Sequence, residues 1–338
     1  MSFLPVTASG RQLIATLGPT SFGAAPALAA AGATAFRLNA SHMEPAELRV
    51  CARQLRAALP DAPLVLDLQG AKMRLGRFPE RDVSVGDRVV FAIQAEQAGT
   101  IPLPHDPLFA QAEAGETLSV DDGRLRFRAI ACQRDHLEAE ALVAGRLRPR
   151  KGVNVIEHPV LLDDLTPADL DAIVALAGIS GVAWAFSFLV DGHEAEWVRR
   201  RQSDAIVIGK IERREAVAQI QDVARHCDAL WLCRGDLGAQ LGLAELARRV
   251  AAIDPRRLAR PILMAGQVLE HLTQHTEPTR SEVCHVFDLI ARGYSGIVLS
   301  DETAIGADPA LAVRLAAGLI EAAATPAATS SATGRASR

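Results

Sequence analysis

Lysine is nearly missing from this chain: among 36 Lys and Arg residues, only Lys72, Lys151 and Lys210 are lysine. A chain that meets almost every need for positive charge with the planar arginine fork has kept the compact ammonium at three places, which suggests sites that want a point charge. Cysteine is sparse and unpatterned. Cys51, Cys132, Cys227, Cys233 and Cys284 are odd in number and include no C-x-x-C pair, which indicates neither a disulfide framework nor a thiolate metal site. They read as reduced, mostly buried residues. No apolar run reaches the ~18 residues of a membrane span, and the N-terminal MSFLPVTASGRQ lacks a charged region followed by an apolar one. The expectation is a cytoplasmic protein with no membrane partner. Basic excess is missing too: the net charge is −4 and no basic stripe occurs, which argues against nucleic acid as a main partner.

What is present is apolar and periodic. At 338 residues and 49% hydrophobic, the chain can bury a large core. Eight short apolar runs recur with room for one helix between most of them: LIATL, TAFRLN, LVLDL, GVAWAF, AIVIGKI, DALWL, PILMAG and GIVLS. Helical patterns separate them, among them EPAELRVCARQLRAAL, TPADLDAIVALA, REAVAQIQDVARH, LAELARRVAAI, RSEVCHVFDLIARG and PALAVRLAAGLIEAA, several opened by Thr, Asp or Pro. Eight βα units predict an α/β fold, the (β/α)8 TIM barrel.

The spacing fails once, after the third strand. There the chain turns to period-two alternation cut by Gly, Pro and Asp-Gly, as in FPERDVSVGDRVVFAIQ and AGETLSVDDGRLRFRAIA. We assign residues 1–73 and 151–324 to the barrel, 74–150 to a small inserted β-barrel lid domain at the barrel mouth, and 325–338 to a disordered tail. Almost every chemistry-capable residue within the strand-like runs falls at one end of them: Arg37, Asn39, Ser41 and His42 after strand two, Asp67 in strand three, Ser187 after four, Lys210 and Glu212 closing five, Arg234, Gly235 and Asp236 closing six. In this fold that end carries the active site.

The stretch AIVIGKIERREAVAQIQDVARHCDALWLCRGDLG concentrates this chemistry. Its strand, helix, strand pattern makes the two strands parallel, so both ends open on the same side of the sheet. Glu212 and Asp236 are hard oxygen donors suited to Mg²⁺ or Mn²⁺, Lys210 is a compact cation, and Gly235 lets backbone N–H groups approach an anion. A salt bridge at a barrel rim is the plainer alternative.

The motifs IATLGPTS, FRLNASH, LDLQGAKMRLG, LSVDDG, KGVNV, the Ser187-Phe188 pair, GKIERREAV, CRGDLG, PTRSEV and LSDETAIG, in this order, resemble pyruvate kinase over about residues 12 to 320. The resemblance implies transfer of the phosphoryl group of phosphoenolpyruvate to ADP, giving pyruvate and ATP. It implies that Lys210 neutralises the migrating group, that Arg37 contacts it, and that Glu212 and Asp236 hold the divalent ion. Ser187 and the backbone at Gly235 and Asp236 would bind the substrate acid, and His42, Arg74 and Lys151 the nucleotide. Asn39, Ser41 and Asp67 match the surroundings of a monovalent cation. Members that need K⁺ carry Glu where this chain has Lys72, so the expectation is that Lys72 supplies the charge and K⁺ is not required.

The chain also departs from that pattern. The family's Ala-Thr-Gln is Ala265-Gly266-Gln267, which removes a hydroxyl thought to assist enolate protonation. Its Ser-Gly-Glu-Thr-Ala-Lys-Gly is Ser300 to Gly306 with Asp301 and Ile305, which removes a cation beside the expected nucleotide. Leu189-Val190 replaces an Arg that usually follows the Ser-Phe pair, and the expectation is that no effector domain follows the eighth helix and that sugar phosphates do not regulate through one. A metal-dependent lyase or decarboxylase acting on a 2-oxo acid, and an inactive paralogue, remain as alternative readings. Exposed apolar helix faces leave room for a homo-oligomer.

Three further patterns have plainer readings. His271 and His275 fit a solvated helix face, Asp121-Asp122-Gly123 a hairpin turn, and Trp184, Trp197 and Trp231 the core.

Overall fold

The computed structural model describes residues 8–94, 99–121 and 123–325; Asp122 and all of the expected tail beyond Thr325 lie outside the described residues. Eight parallel strands, Gln12–Thr16, Ala35–Asn39, Leu64–Leu68, Val182–Phe186, Ile206–Ile211, Ala229–Cys233, Ile262–Ala265 and Gly296–Leu299, close into a barrel in that order, with the last paired to the first. Every apolar run expected to be a strand is one. Parallel strands buried on both faces read as short unbroken hydrophobic stretches, which is why they were visible.

Two cores follow from strand alternation. Ile14, Ala35, Val65, Ala183, Ala185, Ile208, Ala229, Trp231, Leu263, Ala265 and Val298 form a cluster made of strand residues alone, the barrel interior. Five alanines there leave space for one indole. The residues between them, such as Leu13, Phe36, Leu66, Trp184 and Val207, join the helices in a larger outer cluster.

The helices begin where local chemistry expects. Thr166 and Thr279 exchange capping bonds with Asp169 and Glu282, and Pro45, Pro167 and Pro309 occupy first turns. REAVAQIQDVARH is not one helix. Gln219 leaves helical geometry at φ −109°, ψ 24°, so the segment splits into Arg214–Ala218 and Ile220–His226.

Between the third and fourth barrel strands the chain builds a second unit. Its seven-stranded sheet runs Met73–Arg74, Gly152–Val155, Thr117–Val120, Leu125–Cys132, His136–Ala141, Arg88–Ala92 and Ile101–Pro102, beside a ribbon of Arg81–Val83 with Gly145–Leu147. It has its own core, where Phe91 and Phe127 meet edge to face at 5.3 Å. Met73, Val153, Val155 and Val160 belong to that core, so the packed unit runs past residue 150, carried by a strand that pairs with Thr117–Val120. Two of the five cysteines, Cys227 and Cys233, are buried, Cys284 is exposed, and all five are free. No helix among the described residues is long and apolar enough to cross a membrane.

Candidate active site

The same alternation that fills the barrel interior also builds its mouth. Arg37 stands two residues beyond Ala35, Asp67 beyond Val65, Ser187 beyond Ala185 and Lys210 beyond Ile208, so each side chain continues an inward-facing row as its topmost member. Apolar layers below give way to one charged layer above.

Asp67, 2% exposed, is the centre of that layer. Its Oδ2 accepts from Arg37 Nε at 2.8 Å, with the second guanidinium nitrogen 2.6 Å away, and its Oδ1 lies 3.1 Å from Lys210 Nζ. Burial alone would push this carboxyl up, but Lys210 and Arg37 outweigh it and hold it below the usual carboxylate range. Lys210 Nζ also reaches Glu212 Oε1 at 2.9 Å and donates to Ser187 Oγ at 2.8 Å. Burial lowers the pKa of that ammonium, yet Asp67 and Glu212 drive it above the ordinary lysine value, so it is charged at any working pH. Arg37 Nη1 donates to Thr16 Oγ1 at 3.0 Å, and its guanidinium carbon stands 6.0 Å from the centre of the Trp231 ring.

A second ion pair faces the same space. Lys72 Nζ lies 2.6 and 2.7 Å from the two carboxylate oxygens of Asp236. Arg37, Lys72, Ser187, Lys210, Glu212 and Asp236 all line one cavity of 150 Å³, joined there by Asn39, Ser41, Arg74 and Gly235. The structure thus gathers the expected substrate, metal and monovalent-cation residues, with Asp67 beneath the cavity as the partner of Arg37 and Lys210. Asn39 accepts from the Ser41 N–H at 3.1 Å.

A larger cavity of 870 Å³ adjoins the first and shares Arg37, Asn39 and Ser300 with it. Leu17, Pro19, Phe22, Met43 and Ile305 give it apolar walls, and His42, Glu47 and Asp301 give it polar ones. Burial, then Arg74, Arg37, Lys72 and Arg150, lower the His42 pKa to about 4, so the ring is neutral near pH 7. Arg74 donates to Arg150 O at 2.9 Å where the inserted unit meets the barrel. Lys151 lies elsewhere: its Nζ pairs with Asp121 at 2.9 Å inside the inserted unit, and it lines neither cavity.

Two glycines set the geometry. Gly70, at φ +55°, passes so close to strand four that a Cβ would lie 2.1 Å from Ser187 O, which no side chain can tolerate. Gly266, at φ +78°, has ordinary room around it, but its left-handed backbone disfavours the family's threonine. Arg234 turns away to donate to Gly266 O and Gln267 O at 2.8 and 2.6 Å, clamping the end of strand seven.

Among the described residues, no group of three or more His, Cys, Asp or Glu side chains is placed to hold a metal. Glu212 and Asp236 nevertheless line one cavity, and a pair of carboxylates completed by water and a ligand oxyanion is how Mg²⁺ is ordinarily held. The donor set fits a hard divalent ion. The stacked rings of His271 and His275, 3.7 Å apart, bond carbonyls instead.

Some contributors were not singled out from sequence. Trp231, read only as core, is also a wall of the cavity; its register opposite Lys210 was the available signal. Thr16 and Arg213 belong with it, Thr16 bonding Arg37 and Arg213 the carbonyl of Val160. Arg213 follows Glu212 directly, a cation beside a carboxylate that the chain order already showed.

The family description "Pyruvate kinase, barrel domain" matches residues 9–313. A pyruvate kinase of Agrobacterium vitis is 33% identical over 325 residues, covering 92% of this chain and 68% of that protein. One from Methylorubrum extorquens is 29% identical over 321 residues, covering 89% and 66%. The crystal structure of pyruvate kinase from Pyrobaculum aerophilum superposes with a TM-score of 0.80 at 25% identity, over 92% of this chain and 73% of that one. The chain therefore spans about two thirds of the length of these curated relatives. By fold, by motif and by the contents of its barrel mouth, this chain belongs to the pyruvate kinase family.

Proposed function

We propose that this chain transfers the phosphoryl group of phosphoenolpyruvate to ADP, giving pyruvate and ATP. The observation that carries this reading is the buried Lys210 ammonium in the wall of a small charged cavity that opens into a nucleoside-sized one. Lys210 offers a fixed positive charge to the migrating group, and Arg37, held by Asp67 and Thr16, offers a rigid fork to its oxygens. The bond between phosphorus and the enolate oxygen breaks as one to a β-phosphate oxygen of ADP forms, and the enolate then takes a proton on carbon. Gly266 supplies no hydroxyl for that step, so water delivers the proton.

Glu212 and Asp236 would hold Mg²⁺ or Mn²⁺, which when bound supplies charge neutralisation to the enolate and phosphoryl oxygens. Pyruvate formation that requires both ADP and Mg²⁺ tests the reading. Oxaloacetate turnover without nucleotide would replace it with the lyase reading, which is favoured only by the lack, among the described residues, of a free cation in the larger cavity.

Lys72 brings its ammonium into the cavity that Asn39 and Ser41 line, so K⁺ has no remaining task there. Rates in potassium and tetramethylammonium chloride at equal ionic strength are expected to agree; strict K⁺ dependence would refute this role. The nucleotide side is underprovided by comparison. Ile305, 53% exposed, lines the larger cavity, whose histidine is neutral. Ile305→Lys is expected to lower the KM for ADP by up to about fivefold, the scale of one partly exposed charge pair. kcat should stay unchanged, because the added cation holds ground and transition states alike.

A further inference from the structure

Phe188 is held in a conformation that an aromatic residue rarely adopts. Its φ is +59°, in the left-handed region, at the end of the fourth barrel strand. The ring is 1% exposed and has two cations near it, one where the chain enters the inserted unit and one just after the fifth barrel strand. Lys72 Nζ, just before the unit's first strand, lies 5.6 Å from the ring centre, and the Arg213 guanidinium carbon lies 5.2 Å from it. In this backbone setting the Phe188 N–H donates to Glu212 Oε2 at 3.0 Å, while the preceding Ser187 meets Lys210.

Arg213 is an expensive residue to bury. It is 2% exposed; among the described residues it forms no ion pair with a carboxylate and its Nε has no partner, and both terminal nitrogens donate to one carbonyl, Val160 O, at 3.2 Å each. Burial depresses its pKa to about 10 despite the more distant Glu215, Glu194 and Glu212. A guanidinium this poorly compensated adds little to stability. Its contacts nevertheless join two things: Val160, packed in the core of the inserted unit, and Phe188, whose N–H fixes a carboxylate of the cavity.

We propose that Arg213 is a positioning residue. Through Phe188 it transmits the placement of the inserted unit to Glu212, keeping that carboxylate aimed at the divalent ion. The proposal rests on the reading of Glu212 as a metal ligand. It predicts that the arginine matters to metal affinity more than to folding.

The test is Mn²⁺ binding to the full chain, followed by the electron paramagnetic resonance signal of free Mn²⁺, with thermal midpoints measured alongside. Arg213→Met is expected to weaken Mn²⁺ binding about tenfold, the scale of an outer partner of a metal ligand, while the midpoint falls little. Arg213→Lys, which keeps a charge over the ring and one bond to Val160 O, should recover most of that loss. If the methionine variant does not fold, Arg213→Gln, uncharged but still a donor to Val160 O, serves the same comparison. Mn²⁺ affinity equal to the parent chain in the Met or Gln variant overturns the role of Arg213. Absence of Mn²⁺ binding by the parent chain would instead remove the metal reading beneath it.

Discussion

Lys210→Ala is expected to lower pyruvate formation by about 10³-fold, roughly 4 kcal/mol of transition-state stabilisation. The ammonium is 8% exposed and already held within 3.1 Å of Asp67, Glu212 and Ser187. It needs no rearrangement to meet charge that develops during transfer, and preorganised charge of this kind is what phosphoryl transfer uses most. The loss should fall on kcat, since water entering the vacated space can solvate the ground state but reproduces the fixed charge poorly. Asp67 keeps Arg37 as a partner, so the variant is expected to fold. Lys210→Arg should not rescue it, because a planar fork cannot occupy a point-charge site ringed by three close partners. A coupled pyruvate assay checks this, and a Lys210→Ala chain with more than a tenth of the parent rate contradicts it.

Asp67→Ala should have the largest effect on stability. Its carboxylate sits between two buried cations, and removing it leaves Arg37 and Lys210 without their shared counter-charge. Breaking a buried pair by deleting one member costs about 3–5 kcal/mol. For a chain of this size, that lowers the thermal midpoint by roughly five degrees. The pH dependence has a definite sign. The folded pKa of Asp67 lies below its unfolded value, so its contribution is present above the unfolded pKa and lost as pH falls through the folded one. The parent chain should lose stability in the acid range below about pH 4, the ordinary carboxylate region, and Asp67→Ala should show a shallower acid dependence there. Thermal melts at pH 7 and in the acid range test both statements. Equal midpoints at pH 7 would show that Asp67 does not organise the layer.

Much of this site was legible because a closed parallel barrel leaves few choices. Short apolar runs fixed the eight strands and put Arg37, Asp67, Ser187 and Lys210 toward one end of them, where the fold's chemistry collects. The pairings were not legible. Which carboxylate meets which ammonium depends on distances across the closed mouth, so sequence proximity of Lys210 to Glu212 found one pair but not the bridge from Lys72 to Asp236, 164 positions apart. Trp231 looked like core because an indole facing inward reads the same whether a packed layer or a cavity lies above it. Phe188 gave no sign of its left-handed backbone, since that conformation comes from packing against strand five and the inserted unit. The inserted unit runs past residue 150 because the chain pairs once more, at Gly152–Val155, before leaving it.

The most direct test follows phosphorus itself. In a ³¹P magnetic resonance time course with phosphoenolpyruvate, ADP and Mg²⁺, the γ-phosphoryl signal of ATP should grow in step with loss of phosphoenolpyruvate, and neither should change when ADP is left out. Growth of inorganic phosphate independent of ADP, or no change at all with both substrates and metal present, would contradict phosphoryl transfer at this barrel mouth.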